Sequence, residues 1–219
     1  MPVTFRAAAL AVALSTAALA PLALAPTAAV AQAARDAQAE AFVQTEAAKA
    51  LSILNDSSLG VDGRKQAFRA FIDRVTDVPR ITGFVLGKYN RTVTPDQRAA
   101  FAAAFRDYAN SVYESRFGEY KGDTLKVTGS TVRRPGDVIV TSQVTGPQHA
   151  QPAQVSWRVL QAGGGWKVVD VEVSGVWLAI TQQQDFVSTI DNAKGDVSVL
   201  TAQLKRQAVA PPASGRAGR

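Results

Sequence analysis

The chain has no cysteine and one histidine, His149. Without cysteine there are no disulfide staples, no thiolate nucleophile and no cysteine-based metal site. A lone histidine cannot share a metal with a second imidazole, so neither a catalytic nor a ligating role is expected for His149. It falls in the connection "GPQHAQP", where a surface residue is expected. The serines and threonines follow no nucleophile-elbow pattern and have no histidine base to serve them. Charge of one sign is scarce as well, with a net of +6. Arg64, Lys65, Arg69, Arg74, Arg80, Lys88, Arg91 and Arg98 are spread singly among acids and apolar positions. That spacing reads as a solvated face, or as a surface that approaches anionic headgroups or an acidic partner, rather than a nucleic-acid patch.

Long apolar runs are also missing, except at the N-terminus. There Arg6 precedes the uncharged stretch "AAALAVALSTAALAPLALAPTAAVAQA". Pro21 and Pro26 interrupt it, and a spanning helix needs about 20 unbroken apolar residues. Residues 1–31 therefore read as a signal peptide cut after Ala29-Val30-Ala31, with Ala31-Gln32-Ala33 close behind. Its removal takes away Arg6 alone among charged residues and leaves +5 of the +6. No cysteine follows to carry a lipid anchor, and an exported domain without cysteine fits a periplasm. Residues 32–207 suit one domain with a real core. The tail 208–219, "AVAPPASGRAGR", is expected to be disordered.

Periodicity divides the domain. Residues 35–54 keep Phe42, Val43, Ala47, Ala50, Leu51 and Leu54 at helical spacing. After the breaker "NDSSLGVDG", Phe68, Phe71, Ile72 and Val75 mark a second helix from about Arg64. A short helix runs from Asp77 and Pro79 to Leu86 and ends at Gly87. Thr94-Pro95-Asp96-Gln97 is a helix start with a capping box, and Phe101, Phe105, Tyr108, Val112 and Tyr113 follow along one side.

The period then changes from 3.6 to 2. Strands are expected around Leu125 and Val127, around Val138, Val140 and Val144, and around Val155, Trp157 and Val159, with a fourth around Val169, Val171 and Val173. Each has a dry face and a wet face, and the short connections favour an antiparallel meander. Two further helices follow Gly175, the last near Val197 to Gln207. Runs of helices, then strands, then helices predict an α+β fold: a four-stranded or slightly larger antiparallel sheet covered on one face by helices. No internal repeat is visible.

Chemistry-bearing patterns are weak. Asp170 and Glu172 share a strand face and could suggest paired carboxylates, but with Val169, Val171 and Val173 on the opposite face a solvent-facing polar side is the expected reading. The glycine run in "AGGGW" joins two strands, so a phosphate cradle fails on context. Trp157 and Trp166 lack the basic interleaving of a nucleic-acid platform. No catalytic residue, metal ligand or cofactor is expected.

The segment "FIDRVTDVPRITGFVLGKYNRTVTPDQRAAFAAAFRDYANSVYESRFGEYKGDTLKV" and the later "GGGWKVVDVEVSGVWLAITQQQDF" to "LTAQL" resemble the periplasmic phospholipid-binding proteins of the MlaC (toluene-tolerance) type. The Leu-Gly-Lys-Tyr turn, the Thr-Pro-x-Gln-Arg helix start, the Phe-Arg-x-Tyr block and the Tyr-x-Gly exit all fall in family order. Trp177, Gln182 and Gln183 depart from the family pattern.

The resemblance implies a fold related to the NTF2-like type, enclosing an apolar cavity for acyl chains. It also implies a monomeric, noncatalytic carrier. Its ligand would be a phospholipid or related membrane lipid. Its partners would be the inner-membrane MCE-domain protein of an ABC transporter and an outer-membrane lipoprotein complex. Leu86, Tyr89, Phe105 and Tyr113 would line the cavity from the helices, and Val140, Val155, Trp157, Val169 and Val171 from the strands. Val176 would sit where the last strand meets the next helix, and the aromatic side beginning at Phe84 would face the sheet. A hopanoid-type carrier, a noncatalytic envelope adaptor and an NTF2-like enzyme acting on a small apolar substrate are the alternatives.

Overall fold

The computed structural model describes residues 34–115, 117, 122–147 and 149–209. The expected signal peptide, and the expected tail beyond Val209, lie outside the described residues. Helix α1 (Ala37–Asn55) starts where the Asp36 carboxylate accepts the backbone N–H groups of Gln38 and Ala39. Ala39, Val43 and Ala47 form its buried stripe at a four-residue spacing. Helix α2 (Gly60–Val75) begins earlier than the expected Arg64. A 3₁₀ turn, Ser57–Leu59, capped by Asp56, feeds directly into it.

Helix α3 (Val78–Val85) is capped by Asp77 and followed by a 3₁₀ turn, Gly87–Arg91. Helix α4 (Pro95–Glu114) opens with the capping box: Gln97 N–H donates to Thr94 Oγ1, and Thr94 N–H donates to Gln97 Oε1.

The strands β1 (Thr124–Arg134), β2 (Asp137–Thr145), β3 (Ala153–Ala162), β4 (Gly165–Val173) and β5 (Val176–Trp177) form one antiparallel meander in sequence order. The fifth strand is two residues long and closes a hairpin on β4. Its turn residues, Ser174 and Gly175, both have positive φ, as a tight primed turn requires. Helices α5 (Leu178–Asn192) and α6 (Val197–Val209) complete the chain. Helix α6 runs two residues beyond the expected Gln207, because nothing in Ala208-Val209 breaks a helix before Pro211 and Pro212.

Two expectations about β4 need correction. Its register shifts between Arg158 and Val159, so Val168 pairs with Val159 while Asp170 pairs with Arg158. Val169 is the extra residue of a β-bulge, and Val168, rather than Val169, joins Val171 on the apolar face. Asp170 is not a solvated side chain either: it is buried, and its Oδ1 accepts the N–H groups of Val171 and Ala179 at 2.8 Å. A carboxylate from the sheet thus caps the first turn of α5, whose own N-cap residue Trp177 supplies no side-chain bond. Burial pushes the Asp170 carboxyl above the ordinary carboxylate range.

Apolar side chains gather in three clusters. Helix α1 lays Ala39 and Val43 on Val138, Val140, Val159 and Val168 of the sheet. Helix α2 packs Phe68, Phe71 and Val75 with Ile53 and Leu54 of α1 and with Tyr113. Helices α3 to α6 form the third cluster, centred on Phe101, Leu86, Phe186, Ile190, Leu200 and Leu204, to which no strand contributes.

An ion pair stiffens the sheet's other face. Arg158 donates from Nε and Nη2 to the two carboxylate oxygens of Asp137 at 3.0 and 2.9 Å, and Arg133 and Arg134 approach the same carboxylate. The Arg158 hydrogen bonds hold the Asp137 carboxyl below its ordinary range. A lowered folded value means that the stabilisation is complete above the unfolded value, about pH 4, and is lost as pH falls through the folded value. Asp137→Asn is therefore expected to lower stability by about 1–3 kcal/mol at pH 7. Urea unfolding at descending pH should show the wild type and the variant converging in acid. A constant gap would assign the difference to packing instead.

Candidate functional site

The β4–β5 hairpin and the first turn of α5 present large apolar side chains to solvent. Val173, Val176, Leu178 and Ile180 are each 40–48% exposed. Val173 and Val176 are cross-strand partners, so the hairpin sets them side by side. Phe84, on α3, is 39% exposed, and Gln183 of α5 donates its amide N–H to the Phe84 carbonyl at 2.6 Å. That bond ties the α3 backbone at Phe84 to α5, one helical turn beyond Ile180. Val173 and Val176 at the sheet edge, Leu178 and Ile180 on the two flanks of the first turn of α5, and Phe84 on the adjoining α3 are together called the rim.

The run Val176-Trp177-Leu178-Ala179-Ile180 carries a signal for Leu178 and Ile180, which the sequence reasoning missed. Five consecutive apolar residues across a strand-to-helix junction cannot all point into one core, so some must face outward. Ala179 turns in and is buried, while Leu178 and Ile180 turn out.

Close packing anchors the rim from behind. Gly87, at φ +55°, lies so near α5 that a Cβ there would be 2.7 Å from Val187 Cγ2. No other residue fits both the conformation and the space. Beyond it, Lys88 Nζ meets Asp191 Oδ1 at 2.7 Å, and the Tyr89 hydroxyl donates to the same carboxylate. The Lys88 contact is the largest cause of the lowered Asp191 carboxyl, and the bond to Asp191 raises the Tyr89 hydroxyl.

The ten sequence-predicted lining residues do not converge on one wall. Leu86 is fully buried in the helical cluster, with Tyr89 and Phe105 packed against it. Val140 lies in the sheet cluster under α1, with Trp157 and Val171 packed against it. The Trp157 indole N–H donates to Ser142 Oγ at 2.9 Å. Val155 pairs with Val173 and is buried, and Val169 occupies the bulge. Tyr113 sits with Phe68, edge to face at 6.3 Å. Val176 stands in the rim. The aromatic side of α4 faces α6 and α5 rather than the sheet, because Phe101 and Phe105 each meet Phe186 edge to face at 5.8 Å.

Two clefts open on the helical lobe. One of about 230 Å³ runs between α4 and α6, past Ala100, Val197 and Thr201. The other, of about 400 Å³, is lined by Tyr108, Gln182, Asp185, Phe186 and Gln203 among others. None of the ten predicted residues lines either cleft. Burial, helped by the Asp185 charge, raises the Tyr108 hydroxyl.

His149, expected at the surface, is half-buried and lies 3.0 Å from Asp123 Oδ2. That contact ties the β2–β3 connection to the start of β1. None of the described helices is long and apolar enough to cross a membrane.

Fold and rim together define a class: an α+β domain whose antiparallel meander carries an apolar, solvent-facing edge into a helical lobe. The chain belongs to the MlaC family, whose profile, "MlaC protein", matches residues 44–206. It is also similar to a phospholipid-binding protein from Ralstonia solanacearum, solved in complex with a phospholipid. The two share 25% sequence identity with a TM-score of 0.69, over 80% of this chain and 98% of that one.

Proposed function

We propose that this protein is a periplasmic lipid carrier that binds phospholipid by its acyl chains and shuttles it between membranes. The observation that carries the reading is the exposed apolar rim of Phe84, Val173, Val176, Leu178 and Ile180, in a member of the MlaC family. The phospholipid held by the similar Ralstonia solanacearum protein supports the choice of ligand. Residues 1–31 direct export, and residues 32–207 form the lipid-binding domain. The loading and unloading partners are an outer-membrane lipoprotein complex and the MCE-domain protein of an inner-membrane ABC transporter. Such traffic maintains the lipid asymmetry of the outer membrane.

The physical task requires no catalytic machinery. At ~0.8 kcal/mol per buried CH₂, two chains of about 30 methylenes together oppose transfer through water by roughly 24 kcal/mol. A carrier removes that barrier by offering a cavity nearly as dry as the bilayer, with the headgroup left at its mouth. Ligand pockets are typically ~300–1,000 Å³, and two chains need the upper end of that range. The tails are therefore accommodated by parting the helical cluster from the sheet along the rim. Leu86, Tyr89, Phe105 and Tyr113, with Val140, Val155, Trp157, Val169, Val171 and Val176, then become the lining.

The test is native mass spectrometry of protein purified from periplasm without detergent, followed by organic extraction of whatever is released. A stoichiometric phospholipid adduct is expected. A bare mass that stays bare after incubation with liposomes would overturn the carrier reading.

A further inference from the structure

The larger cleft, of about 400 Å³, lies among α4, α5 and α6, and the surface it presents is mostly polar. Its lining follows helical spacing. Gln182, Asp185 and Phe186 share one face of α5, Gln203 and Gln207 stand one turn apart on α6, and Tyr108 comes from α4. Asp185 is the single charged residue of the lining; no lysine, arginine or histidine takes part. Among the described residues, none hydrogen-bonds the side-chain amides of Gln182, Gln203 and Gln207 or the hydroxyls of Tyr108 and Ser188. Their neighbours are spent within the fold. Thr189 donates its hydroxyl to the Asp185 carbonyl at 2.9 Å, and Gln183, one position on from Gln182, gives its amide to the Phe84 carbonyl.

The chemistry of this lining selects a ligand class. A glutamine amide offers two N–H donors and a carbonyl acceptor, and a carboxylate accepts through both oxygens. Adjacent hydroxyls of a sugar ring present the matching set, since each gives an O–H and receives on its oxygen. Burial raises the Tyr108 hydroxyl, so it keeps its proton and can donate. The rings of Tyr108 and Phe186, both in the lining, provide an apolar surface for the C–H side of a sugar. Anions are disfavoured, because Asp185 repels a phosphate and no cation lines the cleft to hold one. A simple amine would engage Asp185 and leave three amides idle. The volume falls toward the lower end of the ~300–1,000 Å³ usual for small-molecule sites, which suits one ring unit rather than two acyl chains.

We infer that the cleft among α4, α5 and α6 is a second binding site, which takes an uncharged sugar-like ligand by its adjacent hydroxyls. Gln182, Gln203 and Gln207 bond the hydroxyls, Asp185 accepts from a further pair, and Tyr108 donates to a ring oxygen. The inference does not depend on the carrier reading, because none of the ten residues expected around acyl chains lines this cleft.

The experiment titrates isotope-labelled protein with three uncharged pyranosides, methyl α-glucoside, methyl α-mannoside and methyl α-galactoside, and follows the glutamine side-chain amide signals by NMR. At ordinary binding efficiency a ligand of this size has a Kd of about 1 mM. At least one of the three is expected to shift the signals of Gln182, Gln203 and Gln207 saturably at that level. Gln182→Leu and Gln203→Leu should each weaken the binding by roughly tenfold, the loss of about one neutral hydrogen bond. Ser198→Ala, in the smaller cleft, should leave it unchanged. Both glutamines are part-exposed on helices and leucine is a good helix former, so the variants should keep the wild-type melting temperature. No saturable shift with any of the three up to roughly 100 mM, a hundred times the expected Kd, overturns the inference. So does ethanolamine shifting the same amides in their place, which would make Asp185 a cation site, or a pyranoside whose affinity survives both substitutions, which would put it elsewhere. Failure of the protein to hold lipid overturns the carrier reading alone.

Discussion

The Val176→Glu variant is expected to purify folded and without lipid. Val176 is 48% exposed in a two-residue strand at the end of the meander. Substitution of an exposed side chain usually changes stability by no more than about 0.5 kcal/mol. The same position forms part of the apolar rim, where a carboxylate would be stripped of water by arriving acyl chains. Removing a charge from water without a partner costs several kcal/mol, so affinity should fall by roughly a hundredfold or more.

Val176→Ala keeps the site apolar and should lose at most about fifteenfold, since it removes only two methyl groups at roughly 0.8 kcal/mol each when fully buried. Val61→Glu, on α2 at a position 61% exposed, adds the same charge away from the rim and should leave the lipid load unchanged. Lipid extraction and phosphorus assay on the three proteins, with melting temperatures in parallel, reads the result. An undiminished load in a folded Val176→Glu protein would remove the rim from the binding site.

Local signals were legible in the sequence wherever one segment contains all the atoms involved. The capping box at Thr94 and Gln97 joins residues three apart, and the structure closes it as read. The strand parities of β2 and β3 were likewise readable, because alternation is a property of each strand alone. Features set by a partner were not. The bulge at Val169 exists only relative to β3, so the parity of β4 looked continuous while its apolar face passes from Val171 to Val168. Asp170 resembled a solvated residue because the helix N–H that it caps, that of Ala179, lies nine residues later, behind a hairpin.

The partner of α4 was hidden for the same reason. Phe101 and Phe105 announced an apolar stripe, yet nothing within α4 says whether a sheet or another helix will cover it. Helices α5 and α6, the last two elements, supply the cover. The candidate site shared this limit. Val176 was found by family position, whereas the outward turn of Leu178 and Ile180 follows from the burial of Ala179 between them, which depends on what packs against α5.

Phe101→Ala is expected to destabilise one part of the molecule far more than the other. Phe101 is fully buried, stacked on Phe105 at 6.0 Å and edge to face with Phe186. Truncating such a ring typically costs 3–5 kcal/mol, through lost transfer energy and the cavity left behind, so about 4 kcal/mol is expected. For a domain of this size that corresponds to a melting temperature lower by roughly 8–16 °C.

The location of the loss matters more than its size. The cluster around Phe101 contains side chains of α3 to α6 and none from the strands, while the sheet is packed chiefly by α1. Hydrogen exchange in the variant should therefore accelerate by up to roughly a thousandfold in α4, α5 and α6, the equivalent of ~4 kcal/mol, with smaller changes in β2 and β3. Equal acceleration in lobe and sheet would mean that the two unfold as one unit. Separate opening would give the carrier a route for its cargo, because a lobe that can part from the sheet without melting it exposes the faces between which acyl chains must lie. Lipid-loaded protein should then show the reverse of the variant, with lobe amides protected beyond those of the delipidated form and sheet amides little changed.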